Sequence, residues 1–156
     1  MPTSPAVLNH FGHCVTDLDR SSRFYCSLFG FVETRRIEVP DDPTSQLLSV
    51  EKPVGLRAAY LEKDGATLEL LAFDRAGNPA ARRRPFNEPG LTHMSFCVDD
   101  LAAACSAAVD LGGSVIEGTD IGGMAVMIRD PDGQPIELLP MAYRASIEGG
   151  RTGAGS

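Results

Sequence analysis

His10-Phe-Gly-His-Cys-Val-Thr-Asp-Leu18 is answered later in the chain by His93-Met-Ser-Phe-Cys-Val-Asp-Asp-Leu101. Both stretches read His, Cys four residues on, Val at five, Asp at seven and Leu at eight. A glycine follows each histidine at twenty, Gly30 and Gly113. A second pair of blocks recurs in the same order: Asp64-Gly-Ala-Thr-Leu-Glu69-Leu-Leu71 and Asp132-Gly-Gln-Pro-Ile-Glu137-Leu-Leu139. Two independent blocks repeated in one order mark an internal duplication. The two modules span about 7–73 and 90–142 and together make one domain over 1–146. The His-to-Glu spacing is 59 residues in the first copy and 44 in the second, so the first copy carries an insertion. The stretch Val39 to Val54, with Pro40, Asp41, Asp42 and Pro43, reads as a loop that holds it.

Working outward from the repeat, each module has one plan. Leu8–Val15 and Leu91–Val98 alternate apolar and polar residues as strands do. Asp17–Leu28 and Asp99–Leu111 read as helices, with Asp17 or Asp19 and Asp99 or Asp100 as N-caps and Gly30 and Gly112–Gly113 as stops. Strands follow at Val32–Glu38, Leu56–Leu61 and Thr67–Phe73, and again at Ser114–Glu117, Met124–Arg129 and Pro135–Pro140. Asp64-Gly65 and Asp132-Gly133 mark hairpin turns. The expected fold is α+β, two tandem βαβββ modules forming a cupped mixed sheet, with a Gly-rich, disordered tail at 147–156.

The remaining composition narrows the function class. The 156 residues suffice for one core of ordinary size, and no apolar run reaches the roughly 18 to 20 residues of a membrane span. A formal net charge of −7 argues against non-specific nucleic-acid binding. Met1-Pro2-Thr3-Ser4-Pro5 has neither a basic nor an apolar signal region, so the expected location is the cytoplasm. Cys14, Cys26, Cys97 and Cys105 form no C-x-x-C pair and are expected to be free, mostly buried thiols.

Strand alternation sorts the side chains by face. Met94, Phe96 and Val98 form the apolar set that a helix covers, which turns His93, Ser95 and Cys97 the other way. The repeat transfers this: Phe11, His13 and Val15 face the helix, while His10, Gly12 and Cys14 face away. Glu69 and Glu137, each flanked by Leu or Ile, fall on the face opposite those apolar neighbours. Two imidazoles and two carboxylates, His10, Glu69, His93 and Glu137, are thus expected to line one cavity and hold a divalent first-row metal. His13 matches Phe96 in the repeat and is read as a packed side chain, and Cys14 and Cys97 as walls of the cavity.

The string Leu8-Asn-His10…Val15-Thr-Asp17-Leu18-Asp-Arg-Ser21…Phe24-Tyr25…Phe29-Gly30-Phe31 resembles the opening of the glyoxalase, bleomycin-resistance and extradiol-dioxygenase group, the vicinal oxygen chelate superfamily. Gly90-Leu-Thr-His93…Val98-Asp-Asp100, with Asp130-Pro-Asp-Gly133…Ile136-Glu137, resembles its second half. The resemblance implies paired βαβββ modules cupped around a metal that binds two adjacent oxygens of a small molecule. His-Glu-His-Glu is the pattern of the glyoxalase I branch. Methylmalonyl-CoA epimerases carry Gln where Glu69 stands and a further Glu where this chain has Pro53, with Glu51 two residues away. Extradiol dioxygenases use two His and one Glu, and bleomycin-resistance proteins lack the metal set.

The implied activity is a divalent-metal lyase or isomerase that moves a proton next to a carbonyl through an enediolate, with Glu137, then Glu69, as the base. The alternatives are an Fe(II) dioxygenase on His10, His93 and Glu137, or a ligand-binding resistance protein. Ni, Co, Mn, Zn and Fe are the candidate metals. The resemblance also implies a homodimer, with sites in one chain or shared between two. Arg75, Arg82, Arg83 and Arg84 in the linker Asp74–Pro89 read as a solvated connection, with binding of an anionic substrate group as the other reading. Gly118–Gly123 reads as a lid or a hairpin loop.

Overall fold

Asp17 turns the first strand into the first helix, because its carboxylate accepts a hydrogen bond from the Arg20 backbone N–H at 3.0 Å and so satisfies an exposed helix-terminal donor. Asp100 does the same for Ala103 at 2.9 Å. In this computed structural model, which describes residues 6–79 and 82–151, the chain divides into two compact units, Met1–Ala81 and Arg82–Ser156. The first holds β1 (Phe11–Cys14), α1 (Leu18–Phe29), β2 (Val32–Glu38), α2 (Asp41–Leu48), β3 (Leu56–Lys63) and β4 (Ala66–Phe73). The second holds β5 (Met94–Val98), α3 (Leu101–Asp110), β6 (Ser114–Val115), β7 (Val126–Arg129), β8 (Pro135–Pro140) and α4 (Met141–Arg151).

Each unit builds a four-stranded mixed sheet of the same order, β1-β4-β3-β2 and β5-β8-β7-β6. The first strand pairs parallel with the last, and the other pairings are antiparallel. This is the tandem α+β plan that the repeat requires. In the first unit α1 buries Leu18, Phe24, Tyr25 and Phe29, and the sheet buries Ala59, Leu61, Leu68, Leu70 and Ala72. Each large apolar side chain so removed from water contributes about 1.5–3 kcal/mol before its ordering entropy is counted. In the second unit α3 is alanine-rich and buries only Ala108, while the sheet buries Val126, Ile128, Ile136 and Leu138. Gly30 closes α1 at φ 71°, a left-handed conformation that strains any residue with a Cβ.

Four expectations are corrected. The insertion read as a loop contains α2: Pro43 falls in its first turn, where a missing N–H costs no helical bond, and Asp41 and Asp42 favour the positive end of the helix dipole. The tail read as disordered from residue 147 instead continues α4 through Arg151, since Met141, Ala142, Arg144 and Ala145 form helix readily. Residues 152–156 lie outside the described residues. The cysteines are free, but none is buried: Cys14 is exposed and the other three are half-buried. Finally, β1 and β5 begin at Phe11 and Met94, so each histidine stands one residue before its strand.

The two hairpins differ. Asp64 and Gly65 both have positive φ, 52° and 78°, which is the signature of a two-residue type I′ turn. The second is wider and is held by Asp130, only 2% exposed, whose carboxylate accepts from the backbone N–H groups of Asp132 at 2.9 Å and Gln134 at 2.8 Å. Asp130→Ala leaves those donors without their acceptor and is expected to cost about 1–3 kcal/mol. Urea unfolding checks this: a lowered midpoint is expected, with Asp130→Asn affected less because it keeps one acceptor.

Candidate metal centre

In the first unit, β1/β4 register sets Gly12 beside Glu69, and β3/β4 register sets Tyr60 opposite it. Leu68, Leu70 and Ala72 are buried on the helix side, so Glu69 lies on the other, open face. His10 precedes Gly12 by two residues and reaches the same carboxylate, with Nε2 2.9 Å from Glu69 Oε2. The Glu69 side chain is only 12% exposed. The Tyr60 hydroxyl donates to Glu69, and this bond, followed by burial and the carboxylate's charge, pushes the tyrosine pKa up. The Tyr60 ring meets the His10 imidazole edge-on at 5.9 Å.

The second unit repeats the pair with other supports. His93 Nε2 lies 3.8 Å from Glu137 Oε2, and the Glu137 side chain is 30% exposed. Its hydroxyl donor is Ser95, which occupies the place of Gly12 and bonds Glu137 Oε2 at 2.6 Å. Met127 stands opposite Glu137, where Tyr60 stands in the first unit. In both units the other ring nitrogen is engaged by the preceding residue: His10 Nδ1 with Asn9 Nδ2 at 3.1 Å, and His93 Nδ1 with Thr92 Oγ1 at 2.8 Å. Holding Nδ1 in this way aims Nε2 at the carboxylate.

The structure therefore brings the four expected ligands together as two pairs, one per unit. Among the described residues of either unit, no third His, Cys, Asp or Glu joins a pair to make a metal-binding group. One nitrogen and one carboxylate oxygen suit a divalent first-row ion but fall short of the three or four protein donors such an ion takes. The donor chemistry of each pair fits such an ion, and the donor number of either pair alone does not.

Other expected residues take their places. His13 packs edge-on against the buried Tyr25 at 5.9 Å, on the helix side as the repeat requires. Cys14, expected as a wall of the cavity of His10 and Glu69, instead lines an open cavity of about 470 Å³ with Phe73, Lys52 and Arg75 whose lining includes neither of them, and its Sγ accepts from Asn78 at 3.1 Å. In the linker, Arg75 pairs with Asp41 at 2.9 Å, and Arg82 and Arg84 pair with Glu88 at 2.7 and 3.1 Å. Gly118–Gly123 belongs to a hydrogen-bonded connection between β6 and β7, with Asp120 capping Gly123 N–H at 2.9 Å. Sequence reasoning passed over Asn9, Thr92 and Tyr60. Tyr60 was within reach, because counting back across the two-residue turn at Asp64-Gly65 sets it opposite Glu69.

Comparison with known proteins places the chain. The model of the Glyoxalase/Bleomycin resistance protein/Dioxygenase superfamily matches residues 7–138. The chain belongs to this superfamily. Similar superfamily members include a probable lactoylglutathione lyase of Synechocystis, 29% identical over 80% of this chain and 88% of that one. A lactoylglutathione lyase of Pseudomonas aeruginosa is 29% identical over 94% of this chain and 87% of that one. Among solved structures, a glyoxalase family protein of Bacillus cereus shares the fold with a TM-score of 0.75 at 18% identity, covering 90% of this chain and 97% of the other. A fosfomycin resistance protein of Mesorhizobium loti does so with a TM-score of 0.56 at 18% identity, covering 92% and 99%.

The face assignment gives a direct test. His93→Ala is expected to lower bound metal at least tenfold in elemental analysis, the usual scale for losing a ligand or its support. His13→Ala is expected to retain metal and to lose stability alone, through the vacated space against Tyr25. Equal metal loss in the two variants contradicts the assignment.

Proposed function

We propose that this superfamily member is a divalent-metal-dependent lyase or isomerase of the glyoxalase I-like type, acting on a small molecule with two adjacent oxygens. His10, Glu69, His93 and Glu137 are the proposed ligands. The observation that carries this reading is the repeated aim of an imidazole Nε2 at a carboxylate, at 2.9 Å in one unit and 3.8 Å in the other. The two lactoylglutathione lyases among its relatives support it.

When bound, a divalent ion supplies Lewis-acid stabilisation of the negative charge that develops on the substrate's adjacent oxygens. The chain's own part is proton movement between neighbouring carbons. The two carboxylates are unequal in this respect. Glu69 is held by both His10 and Tyr60 and is the less exposed, whereas Glu137 has the single short bond to Ser95 and a longer approach to its histidine. The freer carboxylate, Glu137, takes the proton from the carbon next to the carbonyl and returns it to the neighbouring carbon. Glu69 and the two histidines stay in place.

Since neither unit supplies four donors, the proposed site joins both pairs. Each sheet ends in edge strands, β1 and β2 or β5 and β6, and two-fold pairing is the commonest way soluble chains complete such structures. We propose a homodimer with two equivalent sites, each shared between copies.

Metal analysis of the purified protein, followed by assays on 2-oxoaldehyde–thiol adducts, acyl-CoA epimers and catechols, tests the reaction. Turnover of the thiol adducts with nickel, cobalt, manganese or zinc is expected. Glu137→Gln is expected to lower kcat by about 10²–10⁴-fold. Oxygen consumption with catechols, or no metal uptake, contradicts the proposal. Mixing inactive His10→Ala and His93→Ala proteins tests the sharing. Regained activity is expected, because one site of a heterodimer then collects all four native ligands; none is regained if each site lies within one chain.

A further inference from the structure

We propose that Arg35, stacked on Tyr60, is the anchor for an anionic group of the substrate, so that the preferred substrates pair two adjacent oxygens with a nearby carboxylate. The inference deepens the proposed function and rests on that reading for the position of the adjacent oxygens.

The argument begins with an irregularity in β2. In register with β3, Glu33 lies beside Leu61, but Arg35 lies beside Tyr60 and Arg36 beside Ala59, so one residue is inserted at Thr34. Strict alternation would put Glu33 and Arg35 on one face. The bulge instead keeps Glu33 and Arg36 together on the helix side, where Arg36 bonds Glu33 and Asp19, and Ser22 donates to Glu33. Arg35 is thereby turned to the open face that carries Glu69. Bulges commonly re-aim a single side chain in this way beside functional sites.

On that face a row runs across the sheet: Arg35 on β2, Tyr60 on β3, Glu69 on β4, and His10 ahead of β1. The Arg35 guanidinium carbon lies 5.9 Å from the Tyr60 ring centroid, and the His10 ring lies 5.9 Å from the same centroid on its other contact. The cation is thus within twice that distance of the His10 ring, inside the span of a small molecule that reaches both. The tyrosine face holds the guanidinium in place without neutralising it.

Charge makes the position distinctive. Of the cations on the strands of this sheet, Arg36 pairs with Asp19 and Glu33, Arg57 with Asp74, and Lys63 with Asp64 at 3.5 Å. Arg35 is exposed and has no ion-pair partner among the described residues. Glu62, two residues from Tyr60 on the same strand, accepts from Thr34 Oγ1 at 3.1 Å. In a chain of net charge −7, an unpaired guanidinium beside a carboxylate–imidazole pair is a local attractor for anions that the molecule as a whole repels. Its planar fork suits a carboxylate.

Two ligands that differ only by a carboxylate separate the possibilities: 3,4-dihydroxybenzoate and catechol, titrated into the full-length protein with zinc added. Affinity is read by calorimetry, and the Arg35 side-chain N–H and Tyr60 ring signals by NMR. The dihydroxybenzoate is expected to bind about tenfold more tightly, the scale of one charge-assisted hydrogen bond at a part-exposed site. The Arg35 and Tyr60 signals should move with it alone. Arg35→Gln should bring the two affinities together, and Arg35→Lys should restore part of the difference. Equal affinities in the natural protein, or a preference that survives in Arg35→Gln, overturns the proposal. Zinc uptake is measured separately. If the protein takes no zinc, the metal reading fails, while the carboxylate-dependent shifts still decide the role of Arg35.

Discussion

Parallel pairing between the first and last strands of each module is the constraint on which the rest of the molecule depends. It sets Gly12 beside Glu69 and Ser95 beside Glu137, and so brings a histidine two residues upstream within reach of each carboxylate. A slip of one residue would turn each glutamate into the apolar layer under its helix, where an unpaired carboxylate is costly. The buried residues on either side of each glutamate, Leu68 and Leu70, Ile136 and Leu138, forbid that slip. Core packing and site geometry are therefore the same fact seen from the sheet's two faces. The parallel pairing also requires a crossover, which is why a helix capped by Asp17 or Asp100 follows the first strand.

The duplication is not a copy in chemical detail. Glu69 is fastened from β3 by a tyrosine hydroxyl, and Glu137 from β5 by a serine hydroxyl. Gly12 has no side chain to offer, and a Cβ there would press on Leu71 at 3.3 Å. The support for Glu69 comes from the opposite neighbour instead, which also lays an aromatic ring beside the histidine and a guanidinium beyond it. The open face of the first unit thus sets a tyrosine and an arginine in one row with its glutamate, where the second unit sets Met127 beside Glu137. Such divergence between halves gives two carboxylates at matched positions different surroundings, the condition under which paired carboxylates can differ in role.

Much of this was legible in the chain. The doubled His–Cys–Val–Asp–Leu register gave both modules, the two-residue turn at Asp64-Gly65 gave the β3/β4 pairing, and alternation put His13 against α1 and Glu69 away from it. What escaped depended on neighbours distant in sequence or on cancelling local signals. Pro40-Asp-Asp-Pro43 carries turn chemistry and helix N-terminal chemistry at once, and only the following Thr44–Leu48 decides between them. The orientation of Arg35 rests on a bulge that no periodicity reveals, since Thr34-Arg35-Arg36 alternates equally well in either register. The Ser95 bond to Glu137 needs the β5/β8 pairing, which joins residues 42 positions apart.

X-ray absorption at the nickel edge, on protein loaded with nickel, tests the central claim that the four residues form one metal centre. The account predicts two imidazole nitrogens together with carboxylate oxygens directly around the ion, and the loss of imidazole scattering when both His10 and His93 are replaced. A spectrum with no imidazole contribution in the natural protein, or with one that the double replacement leaves unchanged, would contradict it.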